Sequence, residues 1–399
     1  MNIRLSEAPK KTASPVPDPV LFGFEGPSGC ILGRGPAQRI APGTAATLAS
    51  RIAAIALDPD EIIGGALPFD REAADCLWQC RRDKARAPLA SVQDGLPLAG
   101  WRLTAEPSAC DYAQAVSRAL GIMADEAGRS DALEKIVLAR TLLVESAAPV
   151  PIEALMAQLR ADRSVTAFRV ALPWGADHPQ GRALCGATPE LLVEKQGRRV
   201  LSHPLAGSAR RLADPAADRA AAAALAQSAK DQREHALVVE SILDILAPYC
   251  RDLSCPEGTR LTSTRSMWHL GTRIEGRLKD GDTPSVVLAS ALHPTPAVCG
   301  VPTARAAELI KTIEPVARDF YAGAVGWCDA KGDGAWHVAI RCAEISGRRA
   351  RLYAGAGIVP GSDPMAEAAE TSAKFGALLA ALGLPQDAAL QDLPCNGET

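Results

Sequence analysis

Four glutamates, two lysines and one arginine stand at positions where a charge needs a reason. Several fall between Trp336 and Lys374. WHVAIRCAEI, residues 336–345, alternates with period two. Trp336, Val338 and Ile340 fall on one face and His337, Ala339 and Arg341 on the other, as in a strand. Ser346-Gly347 predicts a turn and residues 350–353 a returning strand. Ala354-Gly355-Ala356-Gly357 follows, a small-residue run whose backbone N–H groups a ligand could approach without Cβ obstruction. Pro364 then opens a helix carrying Glu367, Glu370 and Lys374. A guanidinium, an open backbone and paired carboxylates suit a small polyanion held partly by arginine and partly by a hard cation. The alternative is a hairpin followed by a surface helix laced with ion pairs.

The other charges lie upstream. Residues 228–246 predict a helix with Val238, Ser241, Ile242 and Ile245 inward. Glu234 shares that face, where an ionised carboxylate costs several kcal/mol unless paired or metal-bound. Asp231 and Arg233 look outward by comparison, and His235 reads as structural. Glu370 interrupts a small-residue face of Ala366, Ala373 and Ala377. It either forms an ordinary helix pair with Lys374, worth about 0.3–0.5 kcal/mol, or joins Glu234 around one divalent cation. Two carboxylates, with water and substrate oxygens completing the shell, is a common Mg²⁺ arrangement. KIVLARTLLVE, residues 135–145, predicts a strand on which Lys135, Val137, Ala139, Thr141 and Leu143 share a face. Lys135 either snorkels to the strand end or points into a site where desolvation lowers its pKa. Glu190 follows Thr188-Pro189 where a strand begins, and Gly207-Ser208 follows a strand end. Taken singly, neither position demands a ligand.

The elements that must position these groups belong to a globular chain. With 399 residues there is room for one large domain or two ordinary ones. A formal charge of −3 leaves no electrostatic footprint for nucleic acid or an anionic membrane, and no apolar run approaches the ~20 residues of a membrane span. The first twenty residues hold no apolar stretch behind their lysines, so a disordered, Pro-rich lead-in is expected there rather than a secretory signal. The eleven scattered cysteines are expected to be reduced thiols; the 76/80 and 250/255 spacings lack further zinc ligands. Strands are predicted at 62–69 and 165–172, a pair of strands at 21–32, helices at 41–57, 108–127 and 153–163, and a hairpin at Gln196-Gly197. Residues 71–93 show no clear pattern. The expected organisation is a lead-in at 1–20, an N-terminal portion at 21–107 laid on a catalytic core at 108–385, and a tail at 386–399.

Taken together, the motifs resemble those of the chorismate-binding enzymes, and within them an isochorismate synthase of the siderophore type. The matching stretches are KIVLAR (135–140), GATPELL (186–192), PLAGSARR (204–211), KDQREH (230–235), WHLGT (268–272), HPTPAVCGVP (293–302), AGAGIVPGS (354–362) and AETSAK (369–374). They run in family order over residues 108–382, with a looser match at GGALPFD (64–70). The resemblance implies an α+β fold of two packed, largely antiparallel sheets with outer helices, like anthranilate synthase component I and aminodeoxychorismate synthase. The hairpins at Gln196-Gly197 and Ser346-Gly347 agree with an antiparallel plan.

The resemblance also implies a Mg²⁺-dependent isomerisation in which water adds at C2 of chorismate as the C4 hydroxyl leaves. Lys135 matches the general base and Glu190 the general acid. Glu234 and Glu370 match the metal carboxylates, with Glu367 as an outer helper. Arg341 matches the grip on a substrate carboxylate. Gly207, Ser208, His269, Ala297, Gly355, Gly357 and Lys374 match pocket positions. Chemically, the base needs a pKa below the free lysine value of about 10.4, and the acid needs a raised one.

Relatives that use ammonia lack the lysine at 135, and those resembling aminodeoxychorismate synthase carry a lysine where this chain has Ala206. Lys135 with Ala206 points to water as the nucleophile. Salicylate synthases, which go on to eliminate pyruvate, keep the lysine and differ around residues 293–297, so they remain an alternative, as does the menaquinone pathway. A dinucleotide-binding reading of 354–357 lacks the third glycine and the acidic residue it requires. A non-catalytic subunit is opposed by the intact set of chemical positions. The expected protein is a cytoplasmic monomer acting on chorismate for 2,3-dihydroxybenzoate synthesis, functionally linked to an isochorismatase.

Overall fold

The structure, a computed structural model, describes residues 20–27, 29–83, 100–173 and 181–392. Residue 20 apart, the expected lead-in lies outside them, as do residues 84–99 and the last seven of the tail. Period-two patterning dominates the described chain, and each strand pairing in it is antiparallel. This is the α+β architecture expected.

The strands form two half-sheets. In the first, the order is Cys250–Ser254, Ile274–Leu278, Arg199–His203, Leu191–Gln196, Gly334–Val338, Ala324–Asp329, Glu61–Leu67 and Cys76–Asp83. In the second it is Thr166–Leu172, Arg182–Thr188, Cys342–Ser346, Arg349–Ile358 and Lys135–Glu145. The hairpin of Val20–Gly26 and Gly29–Arg39 bridges Thr166–Leu172 to Cys76–Asp83, so the ladder is continuous. A separate three-stranded sheet places Met267–Thr272 between Leu205–Arg210 and Thr259–Ser263.

The two halves share one core. Phe22, Ile62, Leu77 and Val193 pack in the same cluster as Leu138, Phe168 and Leu184. Close approach is enforced by missing side chains: a Cβ on Gly33 or Gly64 would lie 2.4 Å from the Phe22 ring. The outer face of the second half packs Val144, Ile345 and Leu352 against Leu155 and Leu378 of the helices Ile152–Leu159 and Pro364–Ala381.

The helices start where the sequence caps them. The Ser228 hydroxyl accepts from Asp231 N–H at 3.2 Å, opening Ala229–Leu246. Asp363 accepts from Ala366 N–H at 2.7 Å, and Pro364 takes the first position of Pro364–Ala381. The helix predicted at 41–57 is shorter, Ala45–Ala53, and the unpatterned 71–93 contains the strand Cys76–Asp83.

Two expectations need correction. The single strand read through Arg341 is broken after Val338. Its first piece pairs in one half-sheet and its second, Cys342–Ser346, in the other. Residues 339–341 carry the chain between layers, and Arg341 takes a left-handed conformation, φ 51°. The glycine run at 354–357 is not an open loop. It lies inside the strand Arg349–Ile358, with Gly355 opposite Ala139 and Gly357 opposite Val137.

Candidate active site

The interlayer crossing at Arg341 opens onto a cavity. Its walls include Glu190, Glu234, Arg341, Gly357, Glu370 and Lys374, together with Gly207, Ser208, His269, Ala297 and Gly355. Eleven expected positions, drawn from residues 190 to 374, therefore meet in one space. Lys135 and Glu367 stand directly behind its wall rather than on it.

Lys135 is fully buried at the start of its strand. Its Nζ lies 3.0 Å from Glu234 Oε1, an ion-pair contact that lacks hydrogen-bond alignment. Lys135 thus points into the site rather than snorkelling to solvent. Gly357 makes the room, since a Cβ there would come within 2.2 Å of Glu234 Oε1 and 3.3 Å of Lys135 Cε. This glycine supplies space rather than free N–H groups.

The helix Pro364–Ala381 brings the other carboxylates. Glu370 accepts from Lys374 at 2.6 Å and from the Ser208 hydroxyl at 2.8 Å. Burial pushes the Glu370 carboxyl up, but Lys374 and Ser208 outweigh it and hold the group below its usual range. Lys374 also donates to the Gly355 carbonyl at 2.8 Å, so it ties helix to strand as well as pairing with Glu370. Glu367 is buried and pairs with Lys230 at 2.6 Å. Burial and the nearby Glu370 raise its pKa despite that lysine. Arg140 fixes this helix to the strand of Lys135 by donating to Thr371 at 2.9 Å and to Ser372 at 2.5 Å.

Glu190 is 2 % exposed and sits between Arg182–Thr188 of the second half-sheet and Leu191–Gln196 of the first. Burial pushes its carboxyl up to about 8, against the opposing effects of a Leu205 backbone bond and the Lys135 charge. Burial thus favours its protonated form at neutral pH. Its backbone is pinned by Val338 N–H, which donates to Glu190 C=O at 3.1 Å. Burial lowers the Arg341 pKa, opposed by Glu370. The His269 imidazole is held neutral, mainly by burial, against the Gly207 carbonyl, and its Nε2 has no partner among the described residues. Gly207 and Ser208 do not follow a strand end. They lie within Leu205–Arg210, at an irregularity in its pairing, with Gly207 at φ 74°.

Sequence reasoning missed Lys230, Asp231, Tyr321 and Tyr353, all in the cavity wall. Asp231 was expected to face outward, but it lines the cavity and burial raises its pKa. Lys230 stands four residues before Glu234 on the same helix, a spacing that offered the signal. Tyr321 and Tyr353 stack with centroids 4.7 Å apart, and no local pattern joins them.

A hard divalent cation fits the donor set. Glu234 and Glu370 bring carboxylates from two helices to one cavity, whose wall Asp231 also lines. Among the described residues no group of three or more His, Cys, Asp or Glu is placed to hold a metal ion, so water and ligand oxygens would have to supply most of the shell.

Comparison with known proteins finds one matching family and similar chains and structures. The chorismate binding enzyme family matches residues 78–383. The chain is 44% identical over 376 residues to a Mycobacterium tuberculosis protein assigned as isochorismate synthase MenF, covering 92% of this chain and 96% of that one. It is 43% identical over 327 residues to isochorismate synthase DhbC of Bacillus subtilis, covering 81% of each. A Bacillus anthracis crystal structure, assigned as the 2,3-dihydroxybenzoate-specific isochorismate synthase DhbC, superposes with a TM-score of 0.82 at 38% identity, covering 92% of this chain and 96% of that one.

Proposed function

The chain belongs to the chorismate-binding enzyme family, and we propose that it is an isochorismate synthase that converts chorismate to isochorismate with Mg²⁺. The observation that carries this reading is the pairing of opposite proton functions in one place. Lys135 is a buried amine, and Glu190, close enough to feel its charge, is a carboxyl kept protonated near neutral pH.

In this reading water adds at C2 as the C4 hydroxyl departs. Lys135 takes a proton from the water, and Glu190 gives its own to the leaving hydroxyl, so one proton enters the side chains of the site and one leaves them. Arg341 holds a substrate carboxylate at the crossing between layers. Its buried guanidinium is worth more there than in water. Lys374 and Ser208 orient Glu370. Glu234 and Glu370 would hold Mg²⁺ with Glu367 behind them, and the ion's chemistry there is to neutralise the dianion and fix its ring.

The likeness to two DhbC proteins supports 2,3-dihydroxybenzoate, a catechol siderophore precursor, as the product's destination. The similar identity to a MenF protein favours the menaquinone pathway as the second reading. The proposal extends to a cytoplasmic monomer that passes its product to an isochorismatase. No helix among the described residues is long and apolar enough to cross a membrane.

The test is to incubate the purified chain with chorismate and Mg²⁺ and resolve the products by chromatography. Isochorismate alone supports the proposal. Salicylate with pyruvate would replace it by the salicylate synthase reading, and unchanged chorismate would sink both.

A further inference from the structure

The strand that begins with Lys135 has a gap along one edge. Arg349–Ile358 covers one side continuously. On the other, Gly300–Val301 pairs with Lys135 and Ile136, and Arg102–Glu106 pairs from Thr141 to Glu145. Val137 N–H donates to the Cys299 carbonyl at 2.8 Å, but among the described residues no strand covers 138–140 there, and the remaining buried backbone groups must find other partners.

A buried ion pair fills the gap. Ala139 N–H donates to Glu314 Oε1 at 2.7 Å, and Val137 C=O accepts from Arg318 Nη2 at 2.7 Å. Glu314 and Arg318 bond each other twice, at 2.5 and 2.9 Å, with side chains 5% and 3% exposed. The remaining Nη1 of Arg318 donates to Val298 C=O at 2.6 Å. The guanidinium also lies 4.3 Å from the centroid of the Phe69 ring and 5.9 Å from that of Tyr321.

Three parts of the cavity wall therefore meet at one planar group: Val137, Val298 beside Ala297, and Tyr321. An added strand could satisfy residues 137–139, but could not reach all three. A lysine could not either, because only the guanidinium offers a rigid fork of donors. Burying such a pair is tolerated only with its remaining hydrogen bonds made, as they are here.

We infer that Glu314 and Arg318 are positioning residues for the reaction, setting the place of the Lys135 strand against the Ala297 wall and Tyr321. The inference rests on the functional reading above for its catalytic part and on the hydrogen-bond geometry for its structural part.

The test compares Arg318→Lys with the wild-type chain. It keeps the charge and loses the fork. Expected are a fall in kcat of at least roughly tenfold, with KM for chorismate much less affected. Amide exchange at Ala139 should quicken by a similar factor while the rest of the sheet keeps its protection. Glu314→Gln retains an acceptor for Ala139 N–H and should fall between the two proteins. It carries the test alone if Arg318→Lys does not fold. A folded variant with kcat and exchange unchanged overturns the inference. So does a loss of protection spread over the whole sheet with kcat following the folded fraction. If the wild-type chain leaves chorismate untouched, the functional reading and the catalytic part fail together, and the exchange measurement still decides whether the pair holds the strand.

Discussion

The Glu234 carboxylate occupies the place where a β-carbon of Gly357 would stand, 2.2 Å from the ideal Cβ position. The strand residue is bare so that the helix residue can reach Lys135 across it. Gly357 has no left-handed φ, so alanine there meets a steric rather than a conformational objection. Gly357→Ala should fold, displace Glu234 and Lys135, and lower kcat/KM by roughly 10²-fold, the usual cost of misplacing a reacting group by about 1 Å. Steady-state kinetics with chorismate checks this, and an alanine variant within a few-fold of wild type would contradict the packing argument.

Glu190 links activity and stability to pH. Its folded pKa, about 8, is above the unfolded value of 4.5, so the folded state binds the extra proton between those values. Its contribution to stability is full below about 4.5 and is lost as pH rises through about 8. Glu190→Gln removes that dependence, so the stability of the variant should decline less than that of wild type over this window in urea titrations. The amide cannot donate the required proton, and turnover should fall by roughly 10²–10⁴-fold. Parallel stability profiles for the two proteins would refute the burial argument.

Lys135→Gln should abolish turnover yet leave chorismate and Mg²⁺ bound together. Removing the Lys135 side-chain charge frees Glu234 from its ion-pair partner, so Mg²⁺ alone should bind the variant at least as tightly as wild type. Calorimetry without substrate reads this directly. Retained turnover would remove Lys135 from the role of base.

Glu370→Gln should raise the Mg²⁺ concentration needed for half-maximal activity by about tenfold or more, while Lys374 keeps its bond to the Gly355 carbonyl and the helix stays seated. Metal titration of activity, paired with thermal unfolding, separates a lost ligand from a lost fold. An unshifted titration would take Glu370 out of the metal site.

Much of the chain could be read locally. The helix from 228, the helix opened by Pro364, the turn at Gly347 and the alternation of residues 135–145 are short-range consequences of backbone sterics and hydrogen bonding, and the folded chain keeps them. Charge on an apolar face was equally legible, since Lys135 and Glu234 each stood where desolvation demanded a partner. Ordered motifs carried the family.

Tertiary structure decided what those partners are. Lys135 meets Glu234 only because strand and helix pack across Gly357, and nothing in either local pattern encodes that approach. Residues 336–346 look like one strand because period two survives the break. Pairing with two different half-sheets is what turns Arg341 into the crossing residue. Asp231 was misjudged because a helical wheel shows which residues share a face but not what that face meets. Glu314 and Arg318 lie four apart in sequence, and only the gap in the ladder beside them gives the pair its backbone partners. Local sequence sets backbone period and the cost of burying each side chain, whereas cross-strand register and layer packing, which join residues far apart in the chain, determine which charges meet.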